Sequence, residues 1–220
     1  MDQMAFGSWS QLLYGIPLIV AGALIPFLVM SATCFVKLVV VFGLVRNALG
    51  IQQIPPNMAI NSIVLMLTIY VMMPVINEMV TLGYTLNFDI EDPEGLMGSL
   101  NALAEPYRQF LLEHTKVSER QFFIKAAEDL WPQEYLSSAH ERNLVILLPS
   151  FAISELTEAF QIGFLIYLPF VVVDLIISNI LLALGMMMVS PMTISLPFKL
   201  LLFVLVDGWS RLIHGVIVTY

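Results

Sequence analysis

The chain has 220 residues, of which 59% are hydrophobic and only 12% charged. A soluble domain is nearer 45–50% apolar and about 25% charged, so this composition places the chain in or against a membrane. The formal net charge of −8 argues against nucleic acid as a partner, and a lone cysteine, Cys34, excludes an internal disulfide.

The opening stretch, "MDQMAFGSWSQLLYG", has no basic n-region of the kind that precedes a cleavable signal peptide. The first apolar segment is therefore expected to be retained. Four apolar regions follow in chain order: Ile16–Val45, Met58–Ile76, Leu144–Met186 and Ile194–Val218. Runs of about 20 such residues can span a bilayer. All four are predicted to be helical, because a lone strand cannot satisfy its backbone in lipid. The fold class is all-α: membrane-associated helical hairpins with a small, mainly helical soluble insert. The expected division is a first hairpin over residues 1–82, an acidic insert over 83–143 and a second hairpin over 144–220.

Charged residues fall inside the apolar regions, and those singled out are Lys37, Glu155, Glu158, Asp174, Lys199 and Asp207. Each costs about 2.5–3.5 kcal/mol at a helix centre on insertion scales. Either they pair with one another, or they face a watery or protein-filled interior. Ser154, Glu155, Glu158 and Gln161 recur at helical spacing and form one polar stripe.

The insert carries eleven acidic residues against five basic ones, most of the net negative charge. "DIEDPEGLMGSLN" reads as a loop, with Pro93, Gly95 and Gly98 as breakers. "EPYRQFLLEHT" and "SERQFFIKAAEDLW" read as short amphipathic helices, the second stopped by Pro132. Arg46 lies in the short connection between the first two spans, where positive charge favours the cytoplasm. That places the insert and the N-terminus outside.

"ALGIQQIPP" (Ala48–Pro56) and "ALGMMMVSP" (Ala183–Pro191) share Ala-Leu-Gly, five residues, then Pro. Glycine suits the end of an incoming helix and proline the start of an outgoing one. Both read as tips of helical hairpins pointing the same way. The first tip offers Arg46, Asn47, Gln52, Gln53 and Asn57 for hairpin-tip or intersubunit contacts, with solvent exposure as the alternative. The second holds Met186, Met187 and Met188, which are either core filler or a deformable seal, since methionine is flexible and polarizable.

Enzymatic constellations fail. Glu155 and Glu158 lack the histidine of a Glu-x-x-His metal pattern. The acidic run from Asp89 has Glu94 where a calcium loop needs Gly. There is no Walker loop and no Gly-x-Ser-x-Gly elbow. No catalytic residue, metal or cofactor is expected.

Two blocks, "FVKLVVVFGLVRNALGIQQIPPNMAI" (Phe35–Ile60) and "AFQIGFLIYLPFVVVDLIISNILLALGMMMVSPMTISLPFKLLLFVLVDGW" (Ala159–Trp209), cover about a third of the chain. They resemble the R-type (FliP-like) export-apparatus subunit of bacterial type III secretion systems. The virulence branch (SctR, also written YscR, SpaP or HrcR) fits better than the flagellar one, whose members typically carry a cleavable signal. The resemblance implies a homo-oligomer, a pentamer, assembled with S-type and T-type subunits and further needle-base components into a closed helical cone. It implies a place in the bacterial inner membrane, multi-pass and in contact with lipid, with the cone raised toward the periplasm. Unfolded secreted proteins would pass through the cone. It also implies that Met186, Met187 and Met188 form the ring constricting the lumen, about fifteen methionines from five copies. The competing reading is a small-molecule or ion transporter whose intramembrane charges form the substrate site.

Overall fold

The structure, a computed structural model, describes residues 22–23, 30–51, 54–86 and 92–220. Gln52, Gln53 and most of the first apolar region before Met30 lie outside the described residues. Among those described there are eight α-helices and no strand.

Helix α1 (Phe35–Ala48) buries Leu38, Val41, Phe42 and Val45 at the spacing of one helical stripe. It lies in parallel along the first half of the longest helix, Leu144–Ala183. Helix α2 (Asn57–Thr85) returns antiparallel to α1 and extends well beyond the expected end at Ile76. It buries only Ile60, Val64, Thr68 and Met72, a single row four residues apart, and exposes apolar side chains such as Met66, Ile69, Tyr70 and Met73.

The stretch expected to be a loop from Asp89 is in part helix: α3 spans Pro93–Leu103. Pro93 occupies the first turn, where its missing N–H is not needed. The Asp92 side chain accepts the Glu94 N–H at 3.2 Å as an N-cap. The residues read as breakers are thus a helix-start signal. Helices α4 (Glu105–Glu113) and α5 (Val117–Leu130) follow, then a 3₁₀ turn (Gln133–Ser138). These insert helices dock on the chain rather than standing apart from it. Phe110 of α4 packs on Phe151, the Lys116 N–H donates to Ser154 Oγ at 3.0 Å, and the Tyr107 hydroxyl donates to the Ala32 carbonyl at 2.5 Å. Burial pushes the Tyr107 phenol above its ordinary range.

Helix α6 (Leu144–Ala183) has 40 residues and passes through Pro149 and Pro169 without ending. At 1.5 Å per residue it is about 60 Å long. Its first half is the spine of the core, with Leu147, Phe151, Glu155, Ala159 and Gly163 buried. At Gly163 α1 comes close: a Cβ there would stand 2.2 Å from Leu44 Cδ1. The second half buries only Phe170 and Leu181.

The fourth apolar region, expected as one helix, is two: α7 (Pro191–Leu205) and α8 (Gly208–Ile217), bent by 61°. The break is at Asp207, whose φ of 52° and ψ of 46° are left-handed and end a right-handed helix. Helix α7 packs antiparallel on α6. Helix α8 carries the chain on toward the insert, placing Trp209 between Phe42 and Phe203 and Tyr220 beneath Phe110.

Among the described residues, α2 and α6 are each long and apolar enough to cross a membrane, and the bent pair α7–α8 makes a third candidate if it is counted as one span. In the most apolar 18-residue window of α6 only 11% of residues are buried in the chain, and in that of α2 only 22%. Greasy surface on this scale needs lipid or protein to cover it.

Candidate functional site

The two hairpin tips are built alike. At the end of α1, the Gly50 N–H donates to the Asn47 carbonyl at 3.0 Å and the Ile51 N–H to the Arg46 carbonyl at 3.3 Å. At the end of α6, the Gly185 N–H donates to the Leu182 carbonyl at 3.0 Å and the Met186 N–H to the Leu181 carbonyl at 2.9 Å. Each is a Schellman motif, which satisfies carbonyls that the helix end would otherwise orphan. Its C′ residue must be left-handed, and Gly50 (φ 78°) and Gly185 (φ 72°) supply that. The shared Ala-Leu-Gly therefore encodes one geometry twice.

The surroundings of the tips differ. Across the first, the Arg46 guanidinium donates to the Asn57 side-chain oxygen, while Asn47 is exposed. The second projects. Met186, Met187 and Met188 are 43%, 82% and 100% exposed, and nothing lies within 4 Å of the position a Cβ on Gly185 would take. This turn is surface, not core, in the single chain.

Two charge clusters lie behind the tips. Nearest is Asp174 of α6, which accepts from Ser195 Oγ at 2.6 Å and from Lys199 Nζ at 2.5 Å, both on α7. The same Lys199 Nζ donates to the Ala48 carbonyl at 3.2 Å. Lys199 thus fastens α7 to α6 and also caps α1, bringing positive charge to the negative end of that helix. Nine residues of α6 lie beyond Asp174, so the methionine turn stands about 14 Å past this brace.

The second cluster is deeper and closer to the insert. Lys37 Nζ lies 2.9 Å from Glu155 Oε1 and 2.8 Å from Glu158 Oε2. The Glu155 Oε1 geometry makes an ion pair and not a hydrogen bond. Lys37 also stands 4.1 Å from the centre of the Tyr220 ring, a cation–π arrangement, and the Tyr220 hydroxyl donates to Glu155 Oε2. Burial first, and the Glu155 carboxylate second, push the Tyr220 phenol far above the usual tyrosine range. Lys37 and Glu155 are fully buried, Glu158 is partly open, and Gln161, one turn further along the same stripe, is exposed. Asp207 joins no ion pair among the described residues and stands exposed at the elbow between α7 and α8.

Sequence reasoning missed Tyr220 and Ser195 as partners of these charges. Neither carries a spacing signal, because each meets its partner only through the tertiary fold. Among the described residues no group of three or more His, Cys, Asp or Glu side chains is placed to hold a metal ion.

A sequence profile described as the FliP family matches residues 18–216. The chain belongs to the FliP family. The match spans both hairpin tips and both charge clusters. The chain is 52% identical over 204 residues to the Yop proteins translocation protein R of Yersinia pestis, covering 90% of this chain and 91% of that protein. It is 46% identical over 206 residues to the hypersensitivity response secretion protein HrcR of Ralstonia nicotianae, covering 91% and 94%. It is 45% identical over 188 residues to the virulence protein YscR of Salmonella typhimurium, covering 86% and 87%. For this FliP-family chain, the similarity runs through the insert as well as through the two signature blocks.

Proposed function

We propose that this chain is a core subunit of a type III secretion export gate, and that its methionine turn helps seal the channel. Five copies join S-type and T-type subunits and further needle-base components in a closed cone in the bacterial inner membrane. The cone rises toward the periplasm, with the acidic insert on that side. Unfolded secreted proteins pass along its axis. The naming of relatives as secretion and translocation proteins supports the export role.

The observation that carries the seal is the projecting tip: three consecutive methionines, increasingly exposed, at the end of a capped helix and about 14 Å past the last brace. A gate for unfolded protein must admit side chains of every size and still stop ions. Methionine adapts to varied surfaces through three rotatable torsions and a polarizable sulfur. A ring of such side chains is apolar enough to exclude water, as hydrophobic constrictions in channels do. The exposed apolar faces of α2 and α6 support burial against sister chains, with lipid on the outside of the assembly.

The test is ion conductance of the purified complex in a planar bilayer. Replacing Met186, Met187 and Met188 together by Ala or Gly is expected to give a leak while the complex still assembles. An assembled, ion-tight triple variant refutes the seal. The transporter alternative gains if neutralising Asp174 or Lys199 alters solute specificity while the triple variant stays tight. Asp174 and Lys199 are already engaged with each other, with Ser195 and with the Ala48 carbonyl, which leaves little for a substrate to bind.

A further inference from the structure

The elbow between α7 and α8 leaves a groove of about 400 Å³ against α6. Its walls are apolar, among them Pro169 and Phe170 of α6, Leu202 and Phe203 of α7 and Leu212 of α8. Among the described residues, Arg211 is the single charged one that lines it. A second apolar groove, also about 400 Å³, continues along α6 and α7 past Ile176 and Phe198, and the two share Leu202. From Val206 to Phe198 the trough follows α7 for about 12 Å. It is thus long, narrow and greasy, with a cation at one end.

The elbow that makes this shape has identifiable causes. Left-handed Asp207 turns the chain. Gly208 has no Cβ, and the Phe203 ring comes within 2.3 Å of where one would be, so the ring folds over the bend and walls the groove. Arg211 is exposed and joins no ion pair among the described residues, Asp207 four positions earlier included.

We propose that this trough is a binding site for one anionic glycerophospholipid, its phosphate on Arg211 and one acyl chain lying toward Phe198. Charge complementarity selects the occupant. An apolar furrow alone would accept any hydrocarbon, but a guanidinium that joins no ion pair matches a phosphate diester bidentately, and favours a headgroup with no cation of its own to offset that phosphate. The furrow lies between two of the candidate membrane-crossing elements, α6 and the bent pair α7–α8, where lipid is the ambient solvent. This site is independent of the methionine turn, which lies at the far end of α7.

The test uses the full-length chain in its purified complex, in nanodiscs of phosphatidylglycerol or of phosphatidylcholine with identical acyl chains carrying a photoactivatable diazirine. Phosphatidylglycerol is expected to label peptides within residues 166–177 and 198–206. One basic contact near a membrane surface is worth about fivefold in lipid binding. Arg211→Gln should therefore reduce phosphatidylglycerol labelling about fivefold, to the phosphatidylcholine level. Leu202→Trp, which blocks the point shared by the two grooves, should abolish labelling with Arg211 intact. Native mass of each variant complex verifies assembly. The proposal is overturned if the two lipids label the trough equally in the unaltered chain, if neither variant changes labelling, or if Leu202→Cys cross-links to a second protein chain in place of lipid. Ion conductance is not a readout here, so failure leaves the channel seal untouched.

Discussion

Removing the Lys37 ammonium is the sharpest perturbation of the core. Lys37 and Glu155 are each 0% exposed, 2.9 Å apart, with Glu158 at 2.8 Å. Methionine fills nearly the same volume as lysine, so Lys37→Met removes charge with little change in packing. It strands Glu155 against an apolar wall and withdraws the counter-charge from Glu158. Breaking a buried pair from one side costs about 3–5 kcal/mol. For a chain of this size that corresponds to a fall in Tm on the order of 10 °C. Adding Glu155→Gln should restore more than half of the loss: the stranded charge is gone, an amide can still accept from Tyr220, and the partly open Glu158 can reach solvent. The assay is thermal unfolding of the purified, detergent-solubilised complex for the four members of the cycle, whose non-additivity isolates the coupling. Equal Tm for the unaltered and Lys37→Met chains, or a double variant no better than the single, would refute the reasoning.

Gly163→Ala should destabilise the chain by about 1–3 kcal/mol through overpacking, since the new methyl would meet Leu44 at 2.2 Å. Leu44→Ala in the same chain should recover part of that in the same melt. Gly185→Ala meets no atom within 4 Å, so its cost is backbone alone, about 1–2 kcal/mol for a left-handed residue. It is expected to appear as a lowered Tm with assembly retained. Asp92→Ala removes the cap of α3 and should cost about 1 kcal/mol, seen as faster amide hydrogen exchange over residues 94–97 and not in α6.

The two amphipathic insert helices were readable from their periodicity, while α1 and α6 were readable as long apolar runs, with the polar stripe of Ser154, Glu155, Glu158 and Gln161 marked on α6. Helix ends were harder. Pro93 and Gly95 look like breakers in isolation, and only the Asp92 cap turns them into a helix start. The α7–α8 break does carry a local signal, since Asp207-Gly208 is a turn dipeptide and Asp tolerates the left-handed region, but the apolar run on either side of it reads as one continuous helix. The charged residues could be named from sequence, but not their partners. Lys37 meets Glu155 across more than a hundred residues, and Lys199 finds the Ala48 carbonyl across 151. The repeated Ala-Leu-Gly did encode a matching pair of caps, because a Schellman turn has a local sequence requirement and a long-range ion pair has none.

The most direct measurement is an electron cryo-microscopy map of the purified complex that locates residues 186–188 relative to its rotation axis. A cyclic assembly with these methionines nearest the axis, closing the narrowest point of the passage, is the predicted result. Methionines at the periphery, facing lipid or solvent and remote from any central opening, would contradict it.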